Sequence, residues 1–594
     1  MMNQQDKQDP NVLDPIVLAL VQNRLDHISR QMGWVMTRTA RSPIFSQSHD
    51  FSCFIADPDG TLVSQADGIP IHTGGGGFAV RALLRDFGGE IDDIDDGDVF
   101  ILNDPYTAGG NHLPDWVIAR PVFVAGTLVA FACNRAHQAD IGGGAAGTYN
   151  SQAREIFHEG IRLPVMKLIA RGETRQDIWR LLMINTRTSE ALDGDLRAMI
   201  GSTKIGADRI ASLVEELGTA IYRDYFEGIL EHADRSFRRC VTTIPDGDYR
   251  AEEAIDNDCF EPIDGAIHVR LGVHGDALEV DFTGTAPQVQ GFKNSSVANT
   301  WSAVYMALAS YFDPDLPRNE GTFRCVTITA PTGTIINARP PAAMTMNTVF
   351  VAHEIVHAIW KTLNQALPER SCAGWGKSIH GTTSGRMPGQ SDEEGPFVMY
   401  HWNGAPAGGA VEGRDGFNLI GHLIALGGLV LPNVETYEQL YPVHFKRQEF
   451  RTDAAGPGAF RGGTGCDFEV EVKVAAEYAF RGEGLYNPSC FGAAGGQAGE
   501  VGEMNLTFAD GENEQPPKYA VRHLEPLTLR AASPGGGGWG DPMAREPDRV
   551  LRDVRDGVVS RGAGETVYGV ILTEDGTSVD KDATAARRAG QSNQ

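Results

Sequence analysis

The sequence predicts an α+β fold, large and mixed, in which antiparallel sheets and packed helices alternate along one chain. Three observations lead there. Alternating apolar runs come in pairs joined by turn sequences, which builds hairpins. Helical periodicity recurs between those pairs without the βαβ regularity of a parallel sheet and without any fixed repeat. Near residue 245 the texture changes from long helical segments to short alternating strands.

The elements follow in order. Ile16, Leu20, Leu25, Ile28, Met32 and Val35 recur at helical spacing, and Asp14 precedes Pro15 as an N-cap before a first-turn proline, so a helix is expected over 15–39. DFSCFIA (50–56), DPDG (57–60) and TLVSQ (61–65) read as strand, turn and strand. A short helix is expected at Phe78–Phe87, a buried strand at Val99–Leu102, and a second hairpin from Val117 to Asn134 across Gly126. Helices are expected at Glu155–Leu163, at Arg175–Thr186 and, broken near Gly218, at Ile205–Cys240 before the turn IPDGDY. Beyond it, Ala266–Val273 and Ala277–Phe282 alternate as strands, Val297–Tyr311 and Val349–Leu367 are helical, and Glu469–Val474 and Val501–Phe508 return to strands. Three regions result: 1–245 with the candidate metal site, 246–545 as a second α+β region, and 546–594 as a polar, partly disordered tail, with disorder expected over 580–594.

Bulk properties exclude several classes. A formal charge of −27, from 51 basic against 78 acidic residues, opposes binding to nucleic acid and to anionic membranes. No stretch reaches the roughly 18 apolar residues of a membrane span, and the first residues lack the basic start and apolar core of an export signal, so a cytoplasmic location is expected. The eight cysteines are scattered without a CxxC pair, which fits reduced buried thiols and neither a disulfide framework nor a zinc ribbon. There is no GxSxG elbow, Walker loop or strand-linked GxGxxG, so any ATP chemistry is expected on another chain.

The chemistry is concentrated between Asn103 and Gly147. His112-Leu-Pro-Asp115 and His137-Gln-Ala-Asp140 repeat one spacing at the two outer ends of an apolar hairpin, which the hairpin would bring together. Imidazole and carboxylate are the donors that hold a borderline cation such as Zn, Mn or Fe, and the intervening proline favours a rigid loop over a helix. Asp50, at the start of a strand, is as well explained by a solvated turn. His72 in IPIHTGGGG, with Gly74 and Gly75, is a candidate anion-binding turn. RGGTG (461–465) and RGEG (481–484) set an arginine beside flexible backbone, suited to a carboxylate or phosphate, although structural ion pairing is the commoner use. His353-Glu354-Ile-Val-His357 matches HExxH formally, but Trp360 replaces the glycine of the extended pattern and no third ligand follows, which argues against a metallopeptidase.

With these residues assembled, the chain resembles the hydantoinase B family over about residues 12–543. The resemblance rests on DFSCFIADPDGTLVSQ, IPIHTGG, GDVFILNDPYTAGGNHLPD, NRAHQADIGG, EIFHEGIRLPVMKL, ALPER, YPV, RGGTG and PGGGGWGDP. It implies a subunit of a two-component, hetero-oligomeric enzyme in which an A-type ATPase partner phosphorylates the substrate, and this chain completes the reaction at a divalent metal. The implied ligands are Asp50, His112, Asp115 and His137, which places Asp50 above the Asp140 that spacing alone prefers; His112, Asp115 and His137 would also carry catalysis. The implied reaction is opening of a phosphorylated lactam or cyclic imide. An ATP-dependent ketone carboxylase using bicarbonate is the alternative enzyme, and a non-catalytic scaffold the alternative from another class. RSPIFSQSHD before the DFS strand and GGNHLPDW in place of GGTHLPD depart from the family pattern and leave the substrate open.

Overall fold

The computed structural model describes residues 13–591 apart from 67, 73, 90–92, 313–314, 380 and 392–393. The first residues, which bear on an export signal, and 592–594 of the expected disordered end lie outside the described residues. Among those described, no helix is long and apolar enough to cross a membrane.

The first helix spans Pro15–Thr39, with the Asp14 carboxylate accepting the Ile16 N–H at 2.8 Å. The strands that follow, β1 (Phe51–Ala56), β2 (Leu62–Gln65), β3 (Val99–Leu102), β4 (Asp115–Val124), β5 (Thr127–His137), β6 (Met166–Ala170) and β7 (Glu173–Thr174), form one antiparallel sheet. Its order is β2-β1-β5-β4-β3-β6-β7. Both faces are covered, which is why its strands read as nearly continuous apolar runs. Cys53, Ile55, Trp116 and Ile118 face the main core beneath helices Pro15–Thr39 and Ser189–Leu217. The alternate residues Phe54, Ala56, Val117 and Ala119 pack with Ala79, Val80 and Leu83 of helix Gly76–Phe87 on the other side.

A four-stranded sheet (Gly247–Asn257, Pro262–His274, Ala277–Asp281, Val326–Thr329) is covered by helix Ala352–Ala366, against which helix Val297–Tyr311 packs. Two further sheets share an apolar core that includes Ile379, Phe468, Tyr478 and Leu529. One contains Thr382–Gly385, Phe397–Tyr400, Ala476–Arg481 and Tyr519–Leu524; the other runs from Val443–Phe450 to Asn513–Glu514, with Leu527–Ala532 at its centre.

The differences from expectation have physical causes. Glu155–Leu163 is an irregular segment with a single 3-10 turn at Ile156–His158, because Glu159 and Ile161 are engaged by distant backbone rather than by a helix. The long helical stretch is broken at Gly218 as expected, where φ 91° favours glycine, but its first part begins at Ser189 rather than Ile205, giving helices Ser189–Leu217 and Tyr222–Val241. The main core runs without a break from Val21 to Leu429, across residue 245. The polar tail is folded through helices Pro547–Arg555, Arg561–Thr566 and Lys581–Gln591, because Val550, Val558, Val559, Tyr568, Val570 and Leu572 supply a small core of their own.

Candidate metal centre

The strand register assembles the site. Asp115 opens β4 directly opposite His137, which closes β5. One strand further on, Phe51 of β1 pairs with Ala136, and the His137 amide donates to the Asp50 carbonyl at 3.1 Å. Asp50, Asp115 and His137 therefore stand side by side at one end of the interior strands β1, β5 and β4. His112 reaches the same point from the loop before β4, and His72 from a 3-10 turn at Pro70–His72.

Three imidazoles surround the Asp115 carboxylate. His112 Nε2 lies 2.9 Å from Oδ1, His137 Nδ1 3.3 Å from Oδ1, and His72 Nε2 3.3 Å from Oδ2. These approaches lack hydrogen-bond alignment, so both buried Asp115 oxygens have no hydrogen-bond partner among the described residues. Each ring is held from its other nitrogen by an oxygen: His112 Nδ1 by the Thr345 carbonyl at 2.6 Å, His72 Nδ1 by Ser52 Oγ at 3.0 Å, His137 Nε2 by the Tyr400 hydroxyl at 3.4 Å. An N–H donated to the Thr345 carbonyl leaves the His112 Nε2 lone pair directed at the centre.

Electrostatics follow from this packing. Burial pushes the Asp115 carboxyl up, but the neighbouring His112 and His72 outweigh it and hold it well below the ordinary range. Burial lowers His112, yet Asp115 and the Thr345 carbonyl raise it overall. Half-buried Asp50 is raised, by desolvation first and by Asp115 as well, against the opposing pull of His137. A borderline divalent cation fits such a set: its charge would satisfy the orphaned carboxylate oxygens, and its ligands would be imidazole and carboxylate.

His112, Asp115 and His137 are the one group of His, Cys, Asp or Glu among the described residues whose donor atoms all lie within 4.8 Å of one another. Asp50 and His72 line the same small cavity of about 20 Å³, with Tyr149, Trp402 and His422. That is room for about one water-sized occupant. A much larger cavity of about 930 Å³ reaches His49 and Phe51, on either side of Asp50, and shares Ala425 with the small one.

Other candidates are placed elsewhere. His72 faces the carboxylate rather than an open anion turn. Gly74 and Gly75 are buried by close packing: a Cβ would lie 2.7 Å from the Ser302 backbone at Gly74 and 2.2 Å from Arg135 Nη1 at Gly75, and the Gly75 carbonyl accepts from Arg135 Nη2 at 3.0 Å. Their smallness serves that approach, so they form no free cradle. Asp140 is spent on backbone, accepting from the amides of Gly142, Gly147 and Arg187 at 2.9–3.1 Å and pairing with the Arg187 guanidinium. On helix Ala352–Ala366, His357 accepts the Trp375 N–H at 3.0 Å and faces Glu253, while Glu354 pairs with Lys377 at 2.7 Å. The His357 Nε2 lone pair that an HExxH metal would need is taken by the Trp375 amide, and the glutamate that would act as base is paired with a lysine. Arg461 pairs with Asp553 at 2.9 Å, whereas Arg481 is buried beside Tyr149. Sequence reasoning does not reach Tyr149, Thr345 or Tyr400: nothing local distinguishes them, and the last two act on their histidines across more than 200 positions.

The whole chain has relatives among known proteins. A family model described as Hydantoinase B/oxoprolinase matches residues 14–542. The beta subunit of the caprolactamase of Pseudomonas jessenii is 33% identical over 98% of this chain and 100% of its own length. The B component of a putative D-/L-hydantoinase from Pseudomonas sp. (strain NS671) is 30% identical over 97% of this chain and 98% of its own. The crystal structure of the ATP-dependent caprolactamase from Pseudomonas jessenii superimposes with a TM-score of 0.88 at 32% identity, covering 97% of this chain and 100% of that one.

Proposed function

The chain is an enzyme of the Hydantoinase B/oxoprolinase family, and we propose that it is the metal-dependent subunit of a two-component, ATP-dependent cyclic amidase. An A-type ATPase partner would phosphorylate a lactam or cyclic imide, and this chain would complete C–N cleavage. The observation that carries the reading is the convergence of His72, His112 and His137 on an Asp115 carboxylate whose two oxygens are buried without a hydrogen bond from any described residue. The caprolactamase and hydantoinase relatives, named for cyclic amides, favour ring opening over carboxylation.

His112, Asp115 and His137 would hold the cation, with Asp50 and His72 beside them. Such a cation, Zn, Mn or Fe, supplies Lewis-acid polarisation of a carbonyl and a lowered pKa for water. The protein's own part is orientation: Thr345, Ser52 and Tyr400 fix each imidazole, and the apolar walls Ile69, Ile71, Val349 and Leu429 keep bulk water from the centre. Half-buried Asp50, its carboxyl raised, stands at the edge of the centre where it can take up a proton from an attacking water.

The test is reconstitution with the A-type partner, ATP and a candidate lactam, with metal content measured on the same sample. His112→Ala is expected to abolish turnover and lower bound metal while assembly persists. Unchanged turnover in the assembled variant would reduce this chain to a scaffold, and stable incorporation of labelled bicarbonate into product would replace ring opening by carboxylation.

A further inference from the structure

Arg481 ends the strand Ala476–Arg481 and is 1% exposed. Its Nε, Nη1 and Nη2 are all buried, and none has a hydrogen-bond partner among the described residues. Among those residues it also forms no ion pair, in contrast to the buried Arg461 and Arg545, which pair with Asp553 and Asp415. Its surroundings are aromatic. The guanidinium carbon lies 3.3 Å from the Tyr149 ring centroid and 5.9 Å from that of Tyr400.

Stacking on a tyrosine returns less than the desolvation of an uncompensated buried ion costs. An arginine left with its whole donor fork unused is kept at the expense of stability, which is the signature of a group that waits for a ligand. The location says which ligand site. Tyr149 also stacks on His137, with ring centroids 5.6 Å apart and planes at 15°, and it lines the cavity of the candidate metal centre; Tyr400 holds His137 Nε2. The guanidinium and the His112–Asp115–His137 cluster thus share the same two aromatic rings.

We propose that Arg481 binds an oxyanion, a phosphoryl or carboxylate group, carried by the molecule that reaches the His112–Asp115–His137 centre. A planar fork of donors matches either group through two parallel N–H···O bonds. This rests on the reading of that centre as the reaction site, and it narrows the substrate to one that arrives anionic. The small cavity holds no oxyanion as it stands, so admission displaces part of its aromatic wall, with Tyr149 the ring that covers the guanidinium.

The experiment uses the full chain alone, stripped of metal by a chelator so that anion binding is not read through a metal. Inorganic phosphate and acetate are titrated separately by calorimetry against wild type, Arg481→Met and Arg481→Lys, and thermal melting is recorded for each. The expected result is binding of at least one anion by wild type, at least ten-fold weaker binding by Arg481→Met with a melting temperature equal to or above wild type, and intermediate binding by Arg481→Lys. Phosphate alone assigns a phosphoryl group, and acetate alone a carboxylate. If Arg481→Met does not fold, Arg481→Lys decides: weakened binding at an unchanged melting temperature supports the assignment, and unchanged binding overturns it. Wild type binding neither anion, or Arg481→Met binding as wild type does, also overturns it. None of these outcomes bears on the His112→Ala turnover assay, so failure here is separable from failure of the proposed reaction.

Discussion

Asp115 and His137 face each other across the β4–β5 pair, with Nδ1 3.3 Å from Oδ1, where the start of one strand meets the end of the next. No described residue offers that carboxylate a hydrogen bond. Asp115→Asn keeps the shape and removes the charge. Bound metal is expected to fall at least ten-fold in elemental analysis, and turnover of the reconstituted complex at least a hundred-fold; a variant that retains both would remove Asp115 from the centre.

Tyr400 donates its hydroxyl to the Gly147 carbonyl at 2.8 Å and stands 3.4 Å from His137 Nε2. Tyr400→Phe leaves the ring and frees the imidazole. Metal affinity is expected to drop by about 10- to 100-fold, measured by competition with a chromogenic chelator, with little change in far-UV circular dichroism.

Glu159 accepts the amides of Met344 and Thr345 at 2.9 and 2.7 Å and so fixes the segment whose Thr345 carbonyl holds His112. Burial, stronger than those two donors, pushes its carboxyl from an ordinary value of 4.5 up to about 7. A folded value above the unfolded one gives stability that is complete below pH 4.5 and lost as pH rises through about 7. Glu159→Gln is neutral throughout. Between about pH 5 and 8 the wild type is expected to lose on the order of 3 kcal/mol relative to the variant, seen as converging or crossing melting curves; parallel curves would contradict this.

Asp140 repeats the spacing of Asp115 but serves the backbone. Asp140→Ala strands the amides of Gly142, Gly147 and Arg187. It should destabilise by on the order of 3 kcal/mol while metal content per folded chain stays at the wild-type value. Loss of metal without loss of stability would restore it as a ligand.

Chelation followed by dialysis should abolish turnover of the reconstituted complex. Readdition of Zn, Mn or Fe, one at a time, should restore it with the native ion. His357→Ala should leave metal content unchanged, because that imidazole is engaged by Trp375 and Glu253.

Much of this is legible in the chain. Periodicity locates the helix at 15–39 and the strand at 99–102 because both are set by local pattern, with Asp14 and the buried run VFIL as their markers. The hairpin centred on Gly126 brings His112, Asp115 and His137 together because its register is short-range. His72 stands out for the glycines after it and so suggests an anion, because only tertiary packing turns its ring towards Asp115. Asp140 misleads, since two identical spacings look equivalent until the backbone donors around each are counted. Thr345, Tyr400 and Glu159 are invisible in sequence, as a carbonyl, a phenol and a buried acid acquire meaning only from what lies across the fold.

That the imidazoles come from the first 137 residues while two of their restraints, Thr345 and Tyr400, come from far later has a bearing on biogenesis. A ribosome that has released only the early half presents His112 and His137 without these two restraints, while Ser52 already stands beside His72. On the proposed reading of the centre, a cation would meet both imidazoles in their final setting only after translation has passed residue 400.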